Sequence, residues 1–292
     1  ARQTEDLPPG PIRFVTNTLA RPLQSVAVFV GLSRPAKAVS RMKSPTPPPP
    51  STPAFVASTT LTTLTTATEV ATTTATQPPT STTQPPPVYS ADNPLRVWVG
   101  GDSMVEQVGD SLINLSSSLP YLDVRMTFKI SSGLCRPDYF NWPQVMREAA
   151  EEFEPQVAVL MFGGNDMQGL VENGQALRAF SPEWNEAYGR RVAAAIETFT
   201  DRGAYVVWLG TPLMRNAEDD AWSRNLAAIY EEICSRYPDQ VHYIDCRSLF
   251  AGPDGQYSAY LKDAQGKTWH VREPDGIHFT LAGGDWVASE IL

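Results

Sequence analysis

The chain has 292 residues, with 23 Lys and Arg against 32 Asp and Glu and a net charge of −9. An acidic surplus of this size repels phosphate backbones, so nucleic acid is excluded as the expected partner. The charge is uneven: residues 1–43 carry seven basic side chains (Arg2, Arg13, Arg21, Arg34, Lys37, Arg41, Lys43) against Glu5 and Asp6, a local +5 that leaves −14 for the remainder.

Residues 1–43 read as a basic, juxtamembrane-like segment suited to an anionic surface. The apolar run from Leu23 to Leu32 is ten residues long, short of the ~20 that a membrane helix requires. Residues 44–90 are dominated by Pro, Thr, Ser and Ala. That composition cannot bury enough apolar surface to offset the entropy of ordering. A disordered tether is expected, about 40 Å long as a flexible coil and about 145 Å as extended polyproline. The chain opens at Ala1 without Met and closes at Leu292 inside an expected helix. A fragment is therefore expected, with a signal or anchoring segment upstream and an extracytoplasmic address in the periplasm or cell wall.

Residues 91–292 read as one globular domain. Leu95, Val97, Trp98 and Val99 make a short β-branched and aromatic run that stops at Gly100 and Gly101, and Met104, Val105, Val108, Leu112, Ile113 and Leu115 follow at helical spacing. The pattern predicts a strand, a tight turn and a helix opened by Ser103. Asp123 to Ser131 is expected as a second strand ending at Ser132-Gly133, Pro143 to Phe153 as a short helix, and Gln156 to Gly164 as a central buried strand running into Asn165-Asp166. Pro182 to Arg202 reads as a long amphipathic helix, Tyr205 to Thr211 as a fourth strand, Asp220 to Tyr237 as a helix and Val241 to Cys246 as a fifth strand. Strand and helix alternate throughout. The expected fold is a three-layer α/β/α sandwich around a five-stranded, mostly parallel sheet.

Ser103, at a strand's carboxyl end and a helix's start, reads either as a helix cap or as a nucleophile. A serine nucleophile requires a base, and the chain has three histidines. His242 falls inside the fifth strand, and His270 falls in a polar segment that reads as a loop or hairpin. His278 follows Asp275 by three residues across a glycine turn, a spacing that lets the carboxylate accept the imidazole Nδ1–H and leaves Nε2 free to take a proton. Asp102 and Asp166 read as turn-makers, Asp245 as structural, and Trp142, Met214, Arg215 and Trp269 either as residues lining a cleft or as ordinary packing or surface residues. Cys135, Cys234 and Cys246 are too dispersed for a metal cluster. Cys234 and Cys246 either pair in an exported protein or stay as buried thiols.

Four blocks stand in order: Gly-Asp-Ser after the first strand, Gly133 after the second, Gly-Gly-Asn-Asp after the third, and Asp-Gly-Ile-His near the end. As a set they resemble the SGNH/GDSL hydrolase superfamily over Leu95 to Leu292. The strings SSGLCRPDYFNWP, FGGNDMQ and DGIHFTLAGG look like a bacterial extracytoplasmic branch of poorly defined function. The first block carries Met104 where the family name has Leu, a volume-conserving change. The resemblance implies a flavodoxin-like form of the sandwich, with Ser103 as nucleophile, His278 as general base and Asp275 as the residue orienting it. It also implies an oxyanion hole from the amides of Ser103 and Gly133 and the side-chain amide of Asn165, with no metal or organic cofactor.

The function these readings lead to is a serine esterase or deacetylase that forms an acyl-enzyme on an O-acylated carbohydrate or cell-envelope glycan. A monomeric catalytic domain is expected, with membrane anchoring upstream of this chain. One alternative is an O-acyltransferase of envelope glycans using the same triad. Another is a non-catalytic, tethered glycan-binding module that keeps the fold.

Overall fold

The computed structural model describes residues 88–292. The expected basic segment, its apolar run Leu23 to Leu32 and the expected tether up to residue 87 lie outside the described residues.

In chain order the described part forms β1 (Leu95–Gly101), a 3₁₀ turn (Ser103–Val105), α1 (Glu106–Ser116), β2 (Leu122–Phe128), α2 (Trp142–Glu152) and β3 (Val157–Met161). A small hairpin follows, β4 (Leu170–Glu172) and β5 (Gln175–Leu177), then α3 (Pro182–Thr200), β6 (Tyr205–Leu209), α4 (Ala217–Cys234), β7 (Val241–Ile244) and a one-turn α5 (Cys246–Leu249). A second hairpin, β8 (Tyr260–Lys262) and β9 (Thr268–His270), leads to the closing α6 (Leu281–Ile291).

The sheet has the order β2-β1-β3-β6-β7 and every pairing is parallel. Successive side chains on its strands point to opposite faces, and both faces are apolar. Trp98, Ala158, Leu160, Val206 and Trp208 pack into one core with Trp142, Trp184, Tyr188 and Tyr230 of α2, α3 and α4. Val97, Val99, Val159, Met161, Val207 and Leu209 pack into the other with Val108, Leu112 and Leu115 of α1 and Val287 and Ala288 of α6. The expected three-layer sandwich and five-stranded sheet are both present. Burying each large apolar side chain contributes about 1.5–3 kcal/mol, so these two cores carry most of the fold's stability.

Cap chemistry sets the helix limits. Ser181 accepts from Trp184 N ahead of Pro182 on α3, and Thr280 accepts from Gly283 N on α6. The helix expected from Asp220 begins three residues earlier: Asn216 caps α4, and Glu218, Asp219 and Asp220 fill the first turn, where acidic side chains meet the positive helix end. The β8–β9 hairpin falls where the segment around His270 reads as a loop or hairpin, whereas β4–β5 has no counterpart in the sequence reading, because strands of three residues leave too short a pattern to see.

Candidate active site

β1 runs through both glycines and ends at Gly101, and Asp102, which follows, is fully buried. Asp102, not Ser103, caps the turn that follows: its Oδ1 accepts from Met104 N at 2.9 Å. The serine hydroxyl is thereby released from capping, and Ser103 Oγ lies 2.8 Å from His278 Nε2. His278 Nδ1 lies 2.6 Å from Asp275 Oδ2. Because Nδ1 faces a carboxylate it carries the proton, and Nε2 is left to accept from the serine hydroxyl. The other carboxylate oxygen, Asp275 Oδ1, accepts from the amides of Ile277 at 2.8 Å and His278 at 3.0 Å. Burial pushes the Asp275 carboxyl up, but the hydrogen bond from His278 and the two amides outweigh it and hold it below the usual range. Gly276, between them, has φ of +79°, a left-handed conformation that glycine adopts without strain.

The second and third blocks meet the first through buried carboxyls. Asp102 Oδ2 accepts from Gly163 N at 2.9 Å and Gly164 N at 2.8 Å, tying the end of β1 to the loop after β3. Asp166, also fully buried, accepts from Leu134 N at 3.2 Å, Cys135 N at 2.8 Å and the Tyr188 hydroxyl at 2.7 Å, tying that loop to the one after β2. Gly133 lies so close to Asp166 that any Cβ there would collide with the carboxyl. Asn165 Nδ2 donates to Ser132 O at 3.0 Å, beside Gly133. The main-chain N–H groups of Ser103 and Gly133 have no acceptor among the described residues. Burial pushes Asp102 up to about 7 despite its three amide donors, and it raises Asp166 as well.

Several cleft candidates lie elsewhere. Trp142 is fully buried, its Nε1 donating to Ser132 Oγ at 2.9 Å, so it supports the second block from behind. Met214 and Trp269 are buried in the core beneath α1 and α6. Packing claims all three because their apolar area gains more from the core than from a wet cleft. Arg215 is the exception: it donates to Pro274 O at 2.6 Å and to the Tyr257 hydroxyl at 3.1 Å, against the loop that carries Asp275. His242 is exposed on the edge strand β7, and His270 stacks on Tyr260 across the β8–β9 hairpin with ring centroids 4.7 Å apart. Asp245 caps α5. Met104 is buried beneath the site.

Cys135, Cys234 and Cys246 are all buried free thiols, so the Cys234–Cys246 pairing is not formed. The two lie in different cores, on opposite faces of the sheet. Burial pushes all three thiols up, Cys234 to about 12, which disfavours the reactive thiolate. Among the described residues no three His, Cys, Asp or Glu side chains are grouped as metal ligands would be.

Sequence reasoning passed over Glu106 and Tyr188. Glu106 opens α1 three residues after Ser103; burial and Asp110 raise its carboxyl while His278 pulls the other way. The i, i+3 spacing on one helix face was the available signal. Tyr188 lies within the amphipathic helix expected over Pro182 to Arg202, and nothing local in the sequence indicates that its hydroxyl reaches Asp166.

A Ser–His–Asp relay at the carboxyl ends of parallel strands, with Gly133 and Asn165 on adjacent loops, is the arrangement of an SGNH/GDSL-type serine hydrolase, the class the four blocks resemble. Residues 96–292 match the model of a family described as a protein of unknown function, DUF459, and the chain belongs to that family. No curated protein matches it. Among solved structures it is similar to a GDSL-like lipase from Bacteroides thetaiotaomicron, at 14% identity and a TM-score of 0.47 over 68% of this chain and 85% of that one. It is likewise similar to a catalytic mutant of an acetylxylan esterase from Geobacillus stearothermophilus, at 12% identity and a TM-score of 0.45 over 68% and 92%. A psychrotrophic esterase from Pseudoalteromonas shows 12% identity and a TM-score of 0.44 over 68% and 94%. These likenesses are distant, and the geometry of the site carries the functional reading.

Proposed function

We propose that the protein is a serine esterase or deacetylase that removes small acyl groups from an O-acylated carbohydrate of the cell envelope. The observation that carries this is the 2.8 Å contact between Ser103 Oγ and His278 Nε2, backed by the 2.6 Å bond from His278 Nδ1 to Asp275. His278 Nε2 takes the hydroxyl proton as Ser103 Oγ bonds to the ester carbonyl carbon. The oxyanion so formed is met by the amides of Ser103 and Gly133 and the second Nδ2 hydrogen of Asn165. Collapse breaks the ester C–O bond, and the proton on Nε2 passes to the departing alkoxide, leaving acyl-Ser103. Water then repeats the sequence, with His278 as base, and releases the acid. Neutral donors held in place before the charge develops stabilise it without reorganisation.

An open site supports a small acyl group on a large carrier. The Asp275 and His278 side chains are 44% and 36% exposed. Two cavities, of about 450 and 510 Å³, lie away from them, one between α3 and α4 beside Gly189 and Ile233, the other beside Arg96 and Phe199. Neither is lined by Ser103, Asp275 or His278. The basic head and Pro/Thr-rich stretch of the sequence support an extracytoplasmic, anchored address, and the −14 charge of the remainder speaks against nucleic acid as a partner.

The test compares the protein with Ser103→Ala on p-nitrophenyl acetate and on O-acetylated glycan, measuring free acetate. Ser103-dependent acetate release from both is the expected result. Acetyl transferred to added glycan in place of free acetate would replace hydrolysis with transfer. Glycan binding with no Ser103-dependent turnover would overturn the enzyme reading.

A further inference from the structure

Arg272 has no exposed surface, and among the described residues it forms no ion pair. Its guanidinium is met by carbonyls instead. Nη1 donates to Leu213 O at 2.6 Å, Nη2 to Ile277 O at 2.7 Å and Gly276 O at 3.4 Å, and Nε to His278 O at 3.4 Å. The rings of Phe250, Tyr257 and Phe279 surround it at 5.9, 5.2 and 5.3 Å. Stripping a cation of water is unfavourable, and carbonyl dipoles, ring faces and the longer-range attraction of Asp275 here offset the lost hydration. Burial pulls the guanidinium down to about 10, which leaves it charged at neutral pH.

Three of the four carbonyls belong to the consecutive residues 276–278, the segment that ends at the proposed general base. The amides of Ile277 and His278 are held by Asp275 Oδ1. Each of these two residues is thus gripped at its N–H by Asp275 and at its C=O by Arg272, joined at His278 O by the Glu273 amide at 2.9 Å, and together these bonds fix the backbone that aims the imidazole. The Leu213 bond ties the same loop to the segment after β6.

We infer that Arg272 is the positioning residue of the general base: it clamps the carbonyls of Gly276, Ile277 and His278 and so directs His278 Nε2 at Ser103 Oγ, without touching substrate. This rests on the Ser–His–Asp reading above. A planar fork can span these carbonyls, whereas a lysine ammonium is a point donor that cannot.

The experiment takes Arg272→Lys and Arg272→Met in the full chain. It follows kcat and KM on p-nitrophenyl acetate, the folded fraction by circular dichroism, and the downfield proton resonance of His278 Nδ1–H, identified by its loss in His278→Gln. For folded Arg272→Lys we expect kcat to fall about a hundred-fold, as a misplacement of about 1 Å can produce, with KM nearly unchanged and the resonance lost. A folded Arg272→Lys with wild-type kcat and resonance would overturn the proposal. So would a loss of activity that tracks the unfolded fraction while the resonance persists in the folded remainder. Should Arg272→Met fail to fold, Arg272→Lys decides. If the wild type shows no Ser103-dependent turnover, the esterase reading fails, and the resonance still tests the clamp on its own.

Discussion

On the nucleophile side of the site, Asp102 and Asp166 sit fully buried and gather backbone N–H groups from three loops. On the base side, Arg272 and Arg215 gather backbone carbonyls from the loop that carries Asp275 and His278. Both solve the same problem, since a loop at a strand end leaves main-chain polar groups without ladder partners, and buried ones must be satisfied. The chemistry differs with what each loop presents. The loops after β1, β2 and β3 turn amides inward, which suits an acid, while the amides of Ser103 and Gly133, the proposed oxyanion donors, have no acceptor among the described residues. The Asp275–His278 loop turns amides toward its own aspartate and carbonyls toward the core, which suits a guanidinium. The acidic ties are buried, whereas Asp275 and His278 are partly open to water.

The largest expected effect falls on the base side. Asp275→Asn keeps the shape of the loop but offers an N–H or a neutral oxygen to Nδ1, and kcat should fall about 10³–10⁴-fold, far more than the modest fall in unfolding midpoint expected at neutral pH from losing the lowered carboxylate. An equal loss of stability and activity would show that the loop is held by Asp275 alone. On the nucleophile side the effect should appear first as stability: Asp102→Ala strands three amides and should cost about 3–5 kcal/mol in urea unfolding. Asn165→Ala should leave stability nearly intact and lower kcat about 10²–10³-fold, the usual effect of removing one oxyanion donor. Trp142→Phe, which removes the donor to Ser132 Oγ behind the second block, should cost about 1 kcal/mol.

The two sides also differ in the sign of their pH dependence. Asp102 is raised by burial from 3.8 to about 7, so the folded state binds its proton more tightly than the unfolded chain. Its contribution to stability therefore declines as pH rises from about 4 through 7, and Asp166 adds in the same direction. Asp275 is lowered, so its contribution is present above the ordinary carboxylate range and is lost as pH falls below it. Urea midpoints measured from pH 3 to 8 should show Asp102→Ala flattening the decline toward neutral pH, and Asp275→Asn flattening the loss at acid pH. A wild-type midpoint that rises steadily from pH 4 to 7 would contradict the assignment for Asp102.

Much of the sheet was legible because its central strands are short, doubly buried apolar runs that stop at glycine and polar pairs, as Val157 to Met161 does before Gly163 and Gly164. The residues the structure brings together, Ser103, Asp275 and His278, stood out because histidine is scarce and the blocks keep a fixed order. For Trp142, Met214 and Trp269 the packing alternative is the one the structure shows, a choice the sequence left open because an aromatic or Met beside a polar block reads the same whether it faces a cleft or a core. Arg272 and Tyr188 were invisible for a related reason: arginine is ordinarily a surface residue, and their partners are set by tertiary structure. The short hairpin β4–β5 carries no periodicity long enough to register, and β8–β9 showed only as a polar segment that reads as a loop or hairpin.

The most direct measurement of the central claim is intact-mass analysis after treatment with an alkyl fluorophosphonate, followed by peptide mapping. The account predicts one covalent adduct per chain, located on Ser103, formed at least about a hundred-fold more slowly in His278→Gln and absent in Ser103→Ala. A folded wild-type protein that takes up no adduct, or labels at another residue with Ser103→Ala unaffected, would contradict it.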